Sequence, residues 1–374
     1  MTVSILKPLF LRTSSSDEYE LALPVDWQVV TKQRLIPLPD ALFEQYDLLE
    51  CRCFMGLFPE IKRAWITVDH RLFLWNYEEE SDFYSFDDQE QIIVSVALVK
   101  PKPGVFVDAI KHVLVVATPL EVFLLGVGYD AGKVAGVRGS GSGGEVSLFA
   151  TQLSVPADGV AMTSICGTAD GRVLMSGNDG ALYEFAYQSE DGWLTKKAKK
   201  INLTSTIASY FLPTFFAAKR EQAALSMVVD DVRRLLYVLL QDGSIKVVWL
   251  GASGAEFLLA HHHRSIATTA GLLCSQFNEG FSDGGPVLEI ASMHVIPFSE
   301  SRTLSLVVVT GSGCRLYFST VPRSQRYYET SAMPSQPAGR QPEVFELVHV
   351  RMPPDLRAAI PRSMQCLAPR QALN

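Results

Sequence analysis

"GRVLMSGNDGALYEFAY" occupies residues 171–187. Two apolar runs flank Asn178-Asp179-Gly180. Asn, Asp and Gly tolerate the positive φ that a tight two-strand turn demands. The flanks are built from Val, Leu, Met, Tyr and Phe, residues that fit a pleated, half-buried surface. The stretch reads as a β-hairpin. A lone hairpin is marginal in water, so its partners must lie elsewhere in the chain.

The same design recurs in both directions. It appears as "AWITVDHRLFLWNY" (64–77), "HVLVVATPLEVFLLGVGY" (112–129), "RRLLYVLLQDGSIKVVWL" (233–250) and "RTLSLVVVTGSGCRLYFS" (302–319). A third apolar run precedes most of these pairs: 91–99, 159–168, 224–231 and 288–297. Repeated antiparallel units of this kind predict an all-β fold, a β-propeller of four-stranded blades that bury their faces against one another. The hairpins are assigned as the C–D type pairs of about five blades. The first blade reads as partial, and "EVFELVHVRMPP" (343–354) as the opening strand of another. The expected division is an N-terminal extension at 1–36, blades over 37–351 and an irregular tail at 352–374. On this count the ring stops before closure. One helix is expected over 39–52, with Leu42, Phe43, Tyr46 and Leu49 on one face. Trp65, Phe73, Trp75, Tyr183 and Phe185 read as blade core, with Trp75 and Trp249 between blades.

Composition narrows the function. The chain has 374 residues, 48% hydrophobic and 20% charged, which suits a large buried core. Its net charge of −7 argues against a generic nucleic-acid surface, so no direct nucleic-acid contact is expected. Six cysteines are too sparse for a disulfide scaffold and fit a reducing compartment. Cys166 and Cys314 read as small buried hydrophobes. No apolar run approaches the ~20 residues of a membrane span.

Sites of chemistry are not apparent. His261-His262-His263 reads as a solvated loop, since adjacent side chains on a strand point to opposite faces and cannot share one ion. Cys51 and Cys53 lack a second pair at zinc spacing. "GSGSGGE" (139–145) has no Lys-Ser/Thr and reads as a flexible loop, and 323–343 reads as a disordered excursion. No nucleophile elbow, zinc helix or shared carboxylate pair is found. No catalytic residue, metal or cofactor is assigned.

One segment stands out. Between Ile201 and Ala218 there is no charged side chain, yet the stretch carries Tyr210, Phe211, Phe215 and Phe216. Three readings stay open: blade core, a docking site for a protein partner, and a loop that folds as an amphipathic helix on a lipid surface. On a helix, Leu203, Ile207, Tyr210, Phe211 and Phe215 form one apolar stripe, with Ser and Thr opposite. Leu212 and Phe216 add to the apolar mass. Lys196, Lys197, Lys199 and Lys200 flank the segment and would attract anionic lipid, roughly 1 kcal/mol each near the surface. Pro213 breaks a simple helix there, at ~3 kcal/mol.

The hairpins also carry a resemblance. "MGLFPEIKRAWITVDHRLFLWNYE" (55–78), "LVKPKPGVF" (98–106), 112–129, "DGALYEFAYQSEDGW" (179–193) and "CRLYFST" (314–320) look like the N-terminal β-propeller of the large inner-ring scaffold nucleoporin, the one-fifty-five / one-seventy class. The likeness runs in order from about Pro37 to Pro354. It implies a seven-bladed propeller followed by an α-solenoid that this chain lacks. It implies a non-enzymatic structural role in the nuclear pore complex at the nuclear envelope, supporting nucleocytoplasmic transport. The implied partners are other inner-ring scaffold nucleoporins, the membrane-associated linker nucleoporin, and the pore membrane, reached through a propeller loop. The 139–145 and 255–280 loops match no family string. The absence of any Phe-Gly dipeptide suits a scaffold rather than a permeability-barrier nucleoporin. An adaptor of another membrane coat and a propeller enzyme are the rival readings.

Overall fold

Alternation of large apolar side chains with smaller or polar ones favours extended chain, because successive side chains of a strand face opposite ways. The computed structural model describes residues 39–40, 42, 52–78, 83–129, 146–189, 197–204, 222–273, 289–326 and 341–351. They form five antiparallel four-stranded sheets, each in chain order. Blade one is β1 (Cys53–Phe58), β2 (Arg63–Val68), β3 (Arg71–Asn76) and β4 (Phe83–Phe86). Blade two is β5 (Ser95–Val99), β6 (Ile110–Ala117), β7 (Glu121–Tyr129) and β8 (Val146–Pro156). Blade three is β9 (Met162–Gly167), β10 (Val173–Gly177), β11 (Leu182–Tyr187) and β12 (Ala198–Asn202). Blade four is β13 (Ala224–Asp230), β14 (Leu235–Leu240), β15 (Ile245–Trp249) and β16 (Leu258–His263), followed by helix α1 (Ile266–Leu273). Blade five is β17 (Ile290–Val295), β18 (Leu304–Thr310), β19 (Arg315–Ser319) and β20 (Glu346–Arg351), with the short helix α2 (Arg323–Arg326) before its last strand.

The hairpins read from the sequence are all present, but as the second and third strands of each sheet rather than the third and fourth. Central strands are buried on both faces, so they carry the strongest apolar signal. The outer strands are half-exposed and polar, which hid them. Blade one is complete, because Cys53–Phe58 pairs with β2 from Cys53↔Val68 to Phe58↔Arg63. The run at 343–354 does not open a new blade. Its strand β20 returns to pair with β19 and closes blade five. The 323–343 excursion begins with one helical turn, α2.

Turn chemistry follows the sequence. Gly180 and Gly243 hold φ of 87° and 75° in the β10–β11 and β14–β15 turns, and Asp69 holds 52° in the β2–β3 turn. Positive φ is inexpensive only for residues of this kind.

Apolar clusters join consecutive blades. Leu72, Leu74 and Phe86 of blade one meet Leu114, Val116 and Leu125 of blade two. Val113, Val115 and Leu124 meet Val173, Met175 and Phe185 of blade three. Leu174 meets Leu236 and Val238 of blade four. Leu235, Tyr237 and Val247 meet Leu306, Leu316 and Phe318 of blade five, with Ile266 and Ala270 of α1 sealing the rim. Cys314 is fully buried there, and Trp249 packs against the same cluster. Trp75 sits on the face of blade one turned away from blade two, packed with Ile66, Val68, Phe73 and Leu42. Asp40 and Leu42 are helical, and the remainder of the predicted 39–52 helix lies outside the described residues.

Polar clasps lock the same joints. The Tyr187 hydroxyl donates to the Gly171 carbonyl at 3.0 Å and accepts the Lys102 amide of blade two at 2.7 Å. Arg172 pairs with Glu184 and donates to the Gly254 and Glu256 carbonyls of blade four.

Candidate functional site

The aromatic segment leaves blade three after β12 and enters blade four at β13. Both of its feet are fixed. Leu203 and Thr204 make the start of a helical turn. The Thr204 hydroxyl accepts the Leu182 amide at 2.8 Å, beside the β10–β11 turn. On the far side, the Gln222 side chain accepts the Asp242 amide of the β14–β15 turn at 2.9 Å. Both feet thus lie beside the hairpin turns of blades three and four, and residues 205–221 lie outside the described residues.

The predicted residues divide. Leu203 is only 8% exposed and belongs to the core between blades three and four, so it anchors the loop instead of facing a ligand. Lys200 is also structural. Its ammonium lies 2.7 Å from Asp158, donates to the Ala157 carbonyl at 2.6 Å and stands 5.5 Å over the Tyr183 ring. Burial raises the Tyr183 phenol, and its hydrogen bond to Asp179 at 2.6 Å adds to the effect. A lysine so engaged is unavailable to a headgroup. Leu203 lies where strand passes into loop and Lys200 lies in a basic run, and neither position shows in sequence which side chain is held by the fold. Lys199 is exposed on the opposite side of β12 and Lys197 is half-buried. Lys196, Ile207, Tyr210, Phe211, Leu212, Phe215 and Phe216 lie outside the described residues.

The three histidines are not a solvated loop. They end β16, half-buried, at the rim of blade four. They line a cleft of about 290 Å³ with Arg264, Ser265 and Phe345. Their side chains diverge, as strand geometry requires. His261 meets the Pro342 carbonyl at 2.9 Å, and His263 stands edge-on to Phe318 and Phe345. His262 Nε2 lies 3.0 Å from the Ser244 hydroxyl, which donates to Asp242 at 2.5 Å. Burial alone would push the Asp242 carboxyl up, but the Ser244 hydroxyl and amide and nearby His262 hold it below the usual carboxylate range. Asp, Ser and His here resemble a hydrolase set only in composition. The Ser244 proton points to the carboxylate instead of the imidazole, and Ser244 is fully buried. A nucleophile needs its hydroxyl hydrogen-bonded to the base and open to substrate. Among the described residues no group of three or more His, Cys, Asp or Glu side chains is placed to hold a metal. Cys166 is half-buried against the cluster between blades three and four, and burial raises its thiol to about 12, with Asp231 adding to the shift, which leaves it unreactive.

Known proteins place this architecture. Residues 27–371 match the nucleoporin family model described as Nup133 N terminal like. The chain is 36% identical over 349 residues to the probable nucleoporin C890.06 of Schizosaccharomyces pombe, covering 91% of this chain and 25% of that one. It is 34% identical over 348 residues to the nuclear pore complex protein Nup154 of Drosophila melanogaster, covering 87% and 24%. Among solved structures, the Chaetomium thermophilum Nup170 NTD-Nup53 complex aligns with a TM-score of 0.67 at 30% identity, over 86% of this chain and 42% of that chain. The chain spans about a quarter of the length of the curated relatives it matches. A family model over nearly the whole blade region, with relatives of the Nup154 and Nup170 type, agrees with the likeness carried by the hairpin strings: the chain belongs to the nucleoporin family with a Nup133-like N-terminal domain.

Proposed function

We propose that the chain is a scaffold module of the nuclear pore complex inner ring at the nuclear envelope, non-enzymatic, supporting nucleocytoplasmic transport by holding other nucleoporins in place. The observation that carries this reading is the likeness, at 30% identity over 86% of the chain, to a Nup170 domain solved with Nup53. By that likeness, a Nup53-type linker nucleoporin is the partner class for this propeller. The buried Ser244 hydroxyl and the interlocked blades favour a binding platform over an enzyme. The test is imaging of the tagged chain together with binding to the organism's own Nup53-type protein. Nuclear-rim fluorescence and a saturable complex are expected. Diffuse or Golgi signal with no complex would defeat the reading.

The second element is the pore membrane, reached through Ile207, Tyr210, Phe211, Leu212, Phe215 and Phe216. Its support is the charge-free, aromatic-rich composition of the stretch, together with two feet that lie beside the hairpin turns of blades three and four. Insertion of bulky side chains gains ~25 cal/mol per Å² of apolar surface removed from water. Flotation with small and large vesicles tests it. Wild type should float preferentially with small vesicles, and the triple change of Phe211, Phe215 and Phe216 to Ser should abolish that. Unchanged flotation would remove the membrane from the proposal.

A further inference from the structure

Blades three and four meet turn to turn at the end of the propeller away from the loop feet. The β9–β10 turn of blade three brings Asp170, and the β13–β14 turn of blade four brings Asp231 and Arg234. Contacts cross the joint in both directions. The Ala169 amide donates to the Asp231 carboxylate at 2.7 Å, and Arg234 Nη1 lies 3.5 Å from Asp170 Oδ2. Gly254, with φ of +75°, leaves room for this pair: a Cβ there would stand 2.6 Å from Asp170 Oδ2 and 2.9 Å from Arg234 Nη1. The apolar core of the same joint holds Leu203, the near anchor of the loop.

The joint is short of positive charge. Arg172 is fully committed. Its Nε and Nη2 donate to Glu184 at 3.1 and 2.8 Å, and its Nη1 donates to the Gly254 and Glu256 carbonyls at 2.6 and 3.0 Å. Arg233 is buried against Asp230 and turned to blade five. Two carboxylates therefore share Arg234, with the exposed Lys100 of blade two as the further cation. Asp170 Oδ1 is buried and accepts no hydrogen bond among the described residues. Burial pushes the half-buried Asp231 carboxyl above its ordinary value and Asp170 adds to the shift, while the Ala169 amide, Arg234 and Lys100 oppose it without cancelling it. Cys166, which also feels Asp231, stays a neutral thiol.

We propose that the joint between blades three and four is a proton-operated latch: the facing carboxylates of Asp170 and Asp231 hold its two turns apart at neutral pH, and uptake of one proton by Asp231 lets them close. Two carboxylates that share a site favour a state with one proton between them. The new carboxylic O–H is a donor, and Asp170 Oδ1 is the acceptor still to be filled. In the unfolded chain an Asp titrates near ~3.9. Between that value and the raised folded one, the folded state binds more protons, so stability falls as pH rises. The contribution is fully present below the unfolded value and is lost as pH climbs through the folded one. The inference concerns this joint alone and is independent of whether the loop meets a membrane.

The experiment records thermal melts of the full chain from neutral to mildly acid pH. Asp231→Asn removes the charge but keeps an acceptor for the Ala169 amide. It should raise Tm at neutral pH by about 2 °C or more over wild type, and the gain should shrink as pH falls. In an Asp170→Asn background the gain should shrink as well, because the opposing charge is gone. Hydrogen exchange at the Ala169 amide should slow in Asp231→Asn at neutral pH, which locates the effect at the joint. A Tm at or below wild type at neutral pH, a gain that does not vary with pH, or a gain unaltered by Asp170→Asn would each overturn the proposal.

Discussion

The Arg233 guanidinium lies 2.7 Å from the Asp230 carboxylate, with the two side chains only 4% and 3% exposed. The same guanidinium crosses to blade five. It donates to the carbonyls of Ile296 at 2.9 Å, Ser301 at 2.8 Å and Leu304 at 3.0 Å, and lies against the Phe298 ring. One buried cation thus ties the β13–β14 turn to the β17–β18 connection of the next blade.

Breaking such a pair strands a buried charge, so removal of one partner costs far more than the pair contributes in isolation. Arg233→Ala should lower stability by about 3–5 kcal/mol. Arg233→Lys keeps the charge but loses the fork and should fall in between. Urea unfolding midpoints at matched m-values decide it. A loss below about 1 kcal/mol for the alanine variant would place Arg233 outside the load path between blades.

At the joint of blades two and three, Gly171 has φ of +88°, and a Cβ there would come within 2.3 Å of the Lys102 backbone. Gly171→Ala should cost roughly 2–4 kcal/mol, combining left-handed strain with a clash against main chain that cannot step aside. Tyr187→Phe at the same joint leaves the Lys102 amide without its acceptor and should cost about 1–3 kcal/mol. Thermal melts of both variants check the order. A Gly171→Ala protein as stable as wild type would mean the blades separate more readily than their packing indicates.

Acid should loosen the propeller before it unfolds. Burial holds the His263 imidazole below its ordinary value, and burial lowers His112 too, with Glu60 opposing and Lys100 reinforcing. In the unfolded chain both titrate near ~6.5. Between the folded and unfolded values the unfolded state binds more protons, so stability rises with pH through that window. It is complete above the unfolded value and is lost as pH falls below it toward the depressed folded values. Tm recorded from neutral to mildly acid pH should fall, and His263→Phe should flatten part of that slope. An unchanged slope in the variant would mean the ring does not stay neutral in the fold.

The loop and its anchor should separate by mutation. Leu203→Ala removes side-chain volume from the core between blades three and four and should cost about 2–5 kcal/mol. It should leave vesicle flotation of the folded fraction intact. The Phe211, Phe215 and Phe216 changes should do the reverse, with little effect on Tm. Loss of flotation from Leu203→Ala at a temperature where it remains folded would show that the anchor itself faces lipid.

Much of this was legible before any coordinates. Asp179-Gly180 and Asp242-Gly243 fixed hairpin turns because few residues accept positive φ. The interior strands declared themselves because burial on both faces leaves no room for polar side chains. Outer strands such as Phe83–Phe86 and Leu258–His263 did not, since one edge and much of one face meet water and their composition drifts toward that of loops. The three histidines were misread for that reason. Lys200 was misread because a lysine buried under an Asp and over a Tyr looks, in sequence, like any other lysine in a basic run.

The sequence by itself determined the inner strands, the central hairpins and the family, because side-chain alternation, turn chemistry and motif strings are properties of neighbouring residues. Only the tertiary structure decided which strand sits at a blade's edge, that 346–351 completes blade five, that Leu203 and Lys200 hold the loop in place, and that Asp170 and Asp231 share a blade joint. Those facts depend on pairing between residues far apart in the chain, and a strand's own composition does not specify its partner.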